Sequence, residues 1–219
     1  MEDPFRDARL IPGLQLIETL AWDGTRLPRR DRHLARLAAG AATLGFPCDP
    51  AAAAALLGGV AGDASLRLRL TLDAAGRFDL TAAPLPPAPA EWRVALAAEP
   101  LASSPWLGVK TTMRARYDRD RAALPPGIEE WIYANPAGEV CEGTITNLFF
   151  DRGEGLRTPP LACGLLPGCL RAELLETGAA REEVLRAGDL PRVRLWMGNS
   201  LRGLIPARLV SAAPPASSG

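Results

Sequence analysis

The chain has 219 residues, enough for one large domain or two modest ones, and 47% of them are hydrophobic, enough for a packed core. Its 25 acidic and 25 basic residues cancel, so charge gives no reason to expect nucleic acid or an anionic membrane surface as a partner. No apolar run approaches the roughly 18 residues that would cross a bilayer. The N-terminal MEDPFRDARL is charged and has no apolar signal core, so a cytoplasmic protein is expected. Cys48, Cys141, Cys163 and Cys169 show no paired spacing, and His33 is the single histidine. A zinc site, a disulfide framework and a histidine-based triad are poorly supported, no metal is expected, and the cysteines read as reduced, mostly buried thiols. Lys, Arg, Asp, Glu and Tyr are left to carry the chemistry.

In chain order, GLQLIETLAWDGTRLP predicts a strand, a turn at Asp23-Gly24 and a second short strand. DRHLARLAAGAATLGFP sets Leu34, Leu37, Ala38, Ala41 and Leu44 at helical spacing, with Asp31 as N-cap and Pro47 just past the end. DPAAAAALLGGVAG predicts a second helix, capped by Asp49 with Pro50 at its first position. SLRLRLTLD alternates leucine with arginine or threonine, as a half-buried strand does, and AAGR turns it into a partner, RFDLTAAPL. After the proline-rich PLPPAPAEW, WRVALAAEP is another strand. A helix is predicted through Tyr117 to residue 123, then strands over 131–134, 139–141 and 144–150, the first two joined by an Asn-Pro-Ala-Gly turn. GLLPGCLRAELLETG reads as a loop and a helix closed by Gly178, and REEVLRAGDL as a shorter helix. RVRLWMGN and LRGLIPARLV are the last strands before SAAPPASSG, a disordered-looking tail from about residue 211. Hairpins alternating with helices predict an α+β fold in two lobes: a small N-terminal domain over 1–104 and a larger C-terminal one over 105–219.

One composition feature stands out. Lys110, in GVKTTMRARYD, is the only lysine; every other cation is arginine. Arginine stays charged, whereas lysine can lose its proton and attack a carbonyl, so a retained lysine hints that the amine itself is needed. Composition alone leaves open that it is a solvated leftover of a biased codon usage.

Five segments, taken in order, bear on that question: RHLARLAAGAATLGFP, GVKTTMRARYD, GEVCEGTITNLFF, TPPLACGLLPGCLR and GNSLRGLIPARLV. From about Leu14 to Val210 the chain resembles the class IV aminotransferases, the fold-type IV pyridoxal-phosphate enzymes. These include branched-chain and D-amino-acid aminotransferases and 4-amino-4-deoxychorismate lyase. The resemblance implies the two-lobed D-amino-acid-aminotransferase-like fold, pyridoxal 5′-phosphate as cofactor, and a homodimer. It makes Lys110 the Schiff-base lysine and general acid and base, and Glu142 the carboxylate that faces the pyridine nitrogen. Arg36 matches the arginine that binds the cofactor phosphate. Backbone N–H groups at Gly168, Cys169 and Leu170 would cradle the same phosphate, as would Ser200 and Leu201 through a hydroxyl and an N–H. Read without the resemblance, Arg36 is a solvated helix arginine, Glu142 a turn cap, Gly168 part of a Pro-Gly turn, and His33 a structural residue at a helix start.

The wording KTTxRxxYD, NSLRG and LIETL is closest to members named aminodeoxychorismate lyase, which expel pyruvate and leave 4-aminobenzoate for the folate pathway. An aminotransferase of branched-chain or D-amino acids is the alternative, and a non-catalytic relative a further one. Arg69, Arg114, Tyr117 and Arg202 are candidate substrate binders, the arginines for the carboxylates of an aminodeoxychorismate-like dicarboxylate; their other reading is surface charge. Aminodeoxychorismate synthase is the functional partner this implies. Two departures touch the substrate rather than the cofactor: little precedes the LIETL strand, and Met113 stands where relatives often carry a small or polar residue.

Overall fold

The computed structural model describes residues 3–211; the tail expected from about residue 211 lies, beyond that point, outside the described residues. A 3-10 turn over Ala8–Leu10 opens the small lobe, and its first strand is β1 (Gln15–Trp22), whose Leu16 and Leu20 point into the core on alternate positions. The chain turns at Asp23, whose Oδ1 accepts from the N–H groups of Thr25 and Arg26. The second short strand expected here does not form, because the turn leads straight into α1 (Arg30–Leu44). Arg29 precedes that helix in the left-handed region, at φ 61°, so the helix starts earlier than the sequence suggests and Asp31 sits in its first turn rather than at its cap. Asp49 caps α2 (Pro50–Gly58) as expected, accepting from Ala51 N–H.

β2 (Leu66–Asp73) pairs antiparallel with β1 on one side and with β3 (Phe78–Pro84) on the other, a three-stranded sheet in the order β1-β2-β3. Leu37, Leu44 and Leu57 of the helices pack on Leu16, Leu20, Leu68, Leu70 and Leu72 of the sheet, all fully or nearly fully buried. The sheet's far face carries Thr19, Arg67 and Arg69 toward a cavity.

β4 (Trp92–Leu96) pairs parallel with β5 (Glu130–Ala134) and belongs to the second sheet, although it lies before residue 104. Between them the chain returns to the small lobe and forms α3 (Ala115–Ala122). β6 (Val140–Gly143), β7 (Asn147–Asp151), β8 (Arg157–Thr158), α4 (Cys169–Glu176), β9 (Arg181–Glu182), β10 (Arg194–Asn199) and β11 (Gly203–Leu209) follow. The eight strands run β10-β11-β4-β5-β6-β7-β8-β9, and an extra antiparallel pairing of β10 with β7 closes six of them into a barrel-like ring. Val94, Ile132, Val140, Leu148, Phe150, Met197 and Ile205 fill its interior.

Two sequence expectations change in this lobe. The strand expected over 144–150 is interrupted: the buried Glu130 carboxylate accepts from the N–H groups of Thr144 and Ile145 and from the Thr146 hydroxyl, holding 144–146 as a tight turn. REEVLRAGDL is not a helix. Arg181 and Glu183 donate their N–H groups to Leu156 and Thr158 carbonyls along a strand edge, and Leu185 is drawn into the barrel core before a 3-10 turn over Ala187–Arg192. Edge pairing and burial of one leucine override the local helical pattern. All four cysteines are free, and three of them are buried.

Candidate active site

A cavity of about 730 Å³ lies between the two sheets, and it gathers side chains from widely separated parts of the chain. Lys110 enters on an extended segment laid along the free edge of β1. Its carbonyl accepts from Ile17 N–H at 2.8 Å, and Thr112 N–H donates to Gln15 O at 2.9 Å. These bonds fix the backbone and leave the amine to project into the cavity. Burial, reinforced by the Arg36 and Arg114 charges, lowers the Lys110 amine to about 8, against opposing help from Glu18 and Glu142. A lysine that ordinarily titrates at 10.5 is thus poised to exchange a proton near neutrality.

Glu142 comes from β6, all of which is buried. Tyr117 OH donates to its Oε1 at 2.7 Å and Leu166 N–H to its Oε2 at 3.1 Å. Burial outweighs those bonds and the pull of Lys110, so its carboxyl is pushed up to about 7. Tyr117, expected as a substrate contact, is engaged here as the partner of Glu142; its ring stands edge-on to Tyr133 at 5.4 Å. Burial, then the Glu142 charge, raises the Tyr117 phenol well above its usual range, so it remains the donor.

Arg36 projects from α1 and is clamped by Glu18 of β1, Nε to Oε1 at 2.9 Å and Nη2 to Oε2 at 2.6 Å, while Nη1 reaches Pro167 O at 3.1 Å. That leaves two of its five N–H donors free for an anion. Glu18 was missed at the level of sequence. Burial alone would raise its carboxyl, but the Arg36 charge and the bonds from Arg36 and His33 hold it down at about 2. Its signal was phase: it shares the inward face of β1 with Leu16 and Leu20, where an unpaired carboxylate would not be tolerated.

Gly168 is the N-cap of α4, which has no side-chain cap, so the first-turn N–H groups at Cys169 and Leu170 lack intrahelical partners; Gly168 and Cys169 line the cavity. Glycine is required there by close approach rather than by turn geometry, since a Cβ would lie 1.9 Å from Asn147 Oδ1. The Leu170 side chain faces away, against Gly198. Across the wall, Ser200 and Leu201 form the turn between β10 and β11. The Leu201 N–H donates to Asn199 Oδ1 at 3.1 Å, so the donor expected for an anion is already engaged. The Ser200 hydroxyl lies 2.7 Å from His33 Nε2.

The remaining candidates divide. Arg114 is committed to Asp118 at 2.7 Å and to the Thr144 carbonyl at 2.8 Å. Arg69 and Arg202 do line the cavity, and the structure adds three arginines not singled out from sequence: Arg67, Arg116, which is paired with Glu99 and Asp120, and Arg121, which donates to Thr144 Oγ1 at 3.2 Å and lies 3.6 Å from the Glu130 carboxylate. Burial, then the Arg121 and Arg67 charges, lowers the Arg202 guanidinium, which marks three like charges crowded at one edge.

The model of the Amino-transferase class IV family matches residues 15–210. The chain belongs to this family. Its fold is shared with solved members. A Mesorhizobium loti protein, provisionally described as an amino-acid aminotransferase, is 46% identical with a TM-score of 0.84, over 90% of this chain and 100% of that one. 4-Amino-4-deoxychorismate lyase from Pseudomonas aeruginosa is 28% identical with a TM-score of 0.77, over 93% and 85% of the two chains. Aminodeoxychorismate lyase of Saccharomyces cerevisiae is 30% identical over 129 residues, which is 50% of this chain and 33% of the yeast protein. The Bacillus subtilis protein of that name is 33% identical over 87 residues, 35% of this chain and 28% of its own. The matched region thus spans about a third of each curated relative. Class IV members are pyridoxal-phosphate-dependent enzymes, aminotransferases and lyases alike. Among the described residues no helix is long and apolar enough to cross a membrane.

Proposed function

We propose that this chain is a pyridoxal-phosphate-dependent lyase that releases pyruvate from 4-amino-4-deoxychorismate and leaves 4-aminobenzoate. The observation that carries the reading is the placement of the single lysine in the wall of a cavity that a buried carboxyl, Glu142, and an uncapped helix N-terminus also line. The donor set fits the cofactor group by group. Lys110 supplies an amine for attachment, Glu142 a carboxyl titrating near 7 for the ring nitrogen, and the α4 N-terminus with Arg36 and Ser200 a cradle for the phosphate. Bound there, the cofactor supplies an electron-withdrawing ring that stabilises negative charge developing on the substrate.

Lys110 would take the proton from the ring carbon that bears the amine; the neighbouring carbon–oxygen bond then breaks as the ring becomes aromatic, and the proton would pass to the methylene carbon of the departing enolpyruvate, which becomes pyruvate. An amine near 8 suits both the taking and the giving of that proton. Tyr117 and Leu166 N–H hold the Glu142 carboxyl in place. Arg67, Arg69 and Arg202 bind the substrate's two carboxylates, since a cluster of like charges at a cavity edge is relieved by anions. The lyase is favoured by the two curated relatives that carry that name. An amino-acid aminotransferase is the second reading, favoured by the 46% identical Mesorhizobium loti protein. A homodimer and a functional pairing with aminodeoxychorismate synthase belong to the same proposal, the first checked by sedimentation equilibrium.

The deciding experiment is optical, then chemical. Purified protein given the cofactor should acquire a visible absorption band that borohydride bleaches, with the label on Lys110. Incubation with aminodeoxychorismate and no keto-acid acceptor should then yield pyruvate and 4-aminobenzoate. A protein that stays colourless refutes the cofactor reading; turnover of amino donors only when an acceptor is present refutes the lyase.

A further inference from the structure

The single histidine sits in a relay that the proposed chemistry does not use. His33 Nδ1 lies 2.6 Å from Glu18 Oε2, and His33 Nε2 lies 2.7 Å from Ser200 Oγ. His33 and Glu18 are each only 1% exposed. An ionised Glu18 can only accept, so Nδ1 carries the imidazole proton. In the neutral ring Nε2 then has a lone pair and no proton, and the short contact is a bond that Ser200 donates. A hydroxyl has one proton, and this one is turned away from the cavity that Ser200 also lines. What Ser200 offers the cavity is lone pairs, which repel an anion. The wall around it does the opposite, with the uncapped α4 N-terminus, the spare Arg36 donors and Lys110.

We propose that His33 is a proton-coupled positioning residue: when a dianion enters this wall, His33 takes a proton from solvent at Nε2, and the Ser200 hydroxyl reverses to accept from His33 and donate to the anion. The inference rests on the reading of this wall as the phosphate subsite. The groups that face His33 are Glu18 from β1, Arg36 one turn along α1, Lys110 from the extended segment, Cys169 from the start of α4 and Ser200 from the β10–β11 turn. Burial holds His33 below its ordinary value, Glu18 opposes this, and Arg36 and Lys110 add to it. An incoming dianion offsets the two cations and leaves Glu18 to favour the doubly protonated ring.

Because the chain has one histidine, the full chain carried on a histidine-free tag and labelled with nitrogen-15 histidine gives a single imidazole to observe by NMR. Sulfate is the probe, a dianion that does not itself titrate near neutrality, added to protein freed of cofactor. Without sulfate, Nδ1 should be protonated and Nε2 bare; at saturation both should be protonated. Sulfate affinity, measured calorimetrically from about pH 6.5 to 7.5, below the range in which Lys110 loses its own proton, should fall by up to about tenfold as pH rises one unit. Ser200→Ala should bind sulfate more weakly and leave Nε2 bare. Sulfate binding that leaves the wild-type Nε2 bare refutes the relay and spares the cofactor reading. Protonation that persists in Ser200→Ala, or a ring doubly protonated before sulfate, also refutes it. A chain that takes up no sulfate overturns the relay and the phosphate subsite together.

Discussion

Lys110→Met should stabilise the cofactor-free protein while abolishing turnover. The wild-type structure holds the Lys110 amine at about 8 against an ordinary 10.5, which corresponds to ~3 kcal/mol of charge-burial cost wherever the amine is protonated in both folded and unfolded chains. The sign follows from proton counts. Between those two values the unfolded chain binds more protons than the folded one, so wild-type stability rises with pH across that window. Below about 8 the full cost is present, and above about 10.5 it is gone. Methionine is unbranched like lysine, one heavy atom shorter, and carries no charge, so its advantage should be ~3 kcal/mol at neutral pH, or ~6–12 °C in Tm for a chain of this size. It should shrink toward zero as pH approaches 10.5. Urea unfolding of both proteins at several pH values, after hydroxylamine stripping of any cofactor, measures the difference directly. A variant no more stable than wild type at neutral pH, or one whose advantage is the same at every pH, would refute the account of Lys110 as a desolvated amine.

Glu18→Gln leaves the Arg36 charge buried without its counter-ion and should cost ~3–5 kcal/mol in urea unfolding. Since Glu18 is held at about 2 against an ordinary 4.5, its stabilising effect is present above about 4.5 and is lost as pH falls toward 2, so the gap between variant and wild type should narrow in acid; a constant gap contradicts the ion pair as its source. Gly168→Ala forces a Cβ against Asn147 Oδ1 and should destabilise by ~1–3 kcal/mol, with cofactor affinity in an absorbance titration reduced at least about tenfold. Arg202→Ala removes one cavity-edge cation and should raise KM for a dicarboxylate substrate by ~10–100-fold with little change in kcat. An unchanged KM places the carboxylates elsewhere.

The strands and helices that pack by simple periodicity were legible in the chain: Leu16 and Leu20 alternating in β1, Leu37 and Leu44 spaced along α1, Asp49 capping α2. Lys110 stood out in the chain as a lone lysine among arginines, but composition left its role open, and only the resemblance of GVKTTMRARYD to the class IV segment made it a candidate attachment point. The misreadings share a cause. REEVLRAGDL and the strand over 144–150 were judged by their own pattern, but strand edges and the Glu130 carboxylate, distant in sequence, decided their shape.

The division for the site is similar. Residue type alone determines what chemistry is available: one amine, one imidazole, many guanidinium groups, and carboxylates enough to balance them. Which of those groups meet is a tertiary fact. Glu18 and Arg36 are 18 positions apart, and His33 and Ser200 are 167 apart. The packing of α1 on β1 joins the first pair, and only the meeting of that lobe with the turn between β10 and β11 joins the second. The pKa values that matter, near 8 for Lys110, near 7 for Glu142 and near 2 for Glu18, are set by desolvation and by neighbours that the fold supplies. Sequence chose the groups; burial in a shared cavity decided their charge.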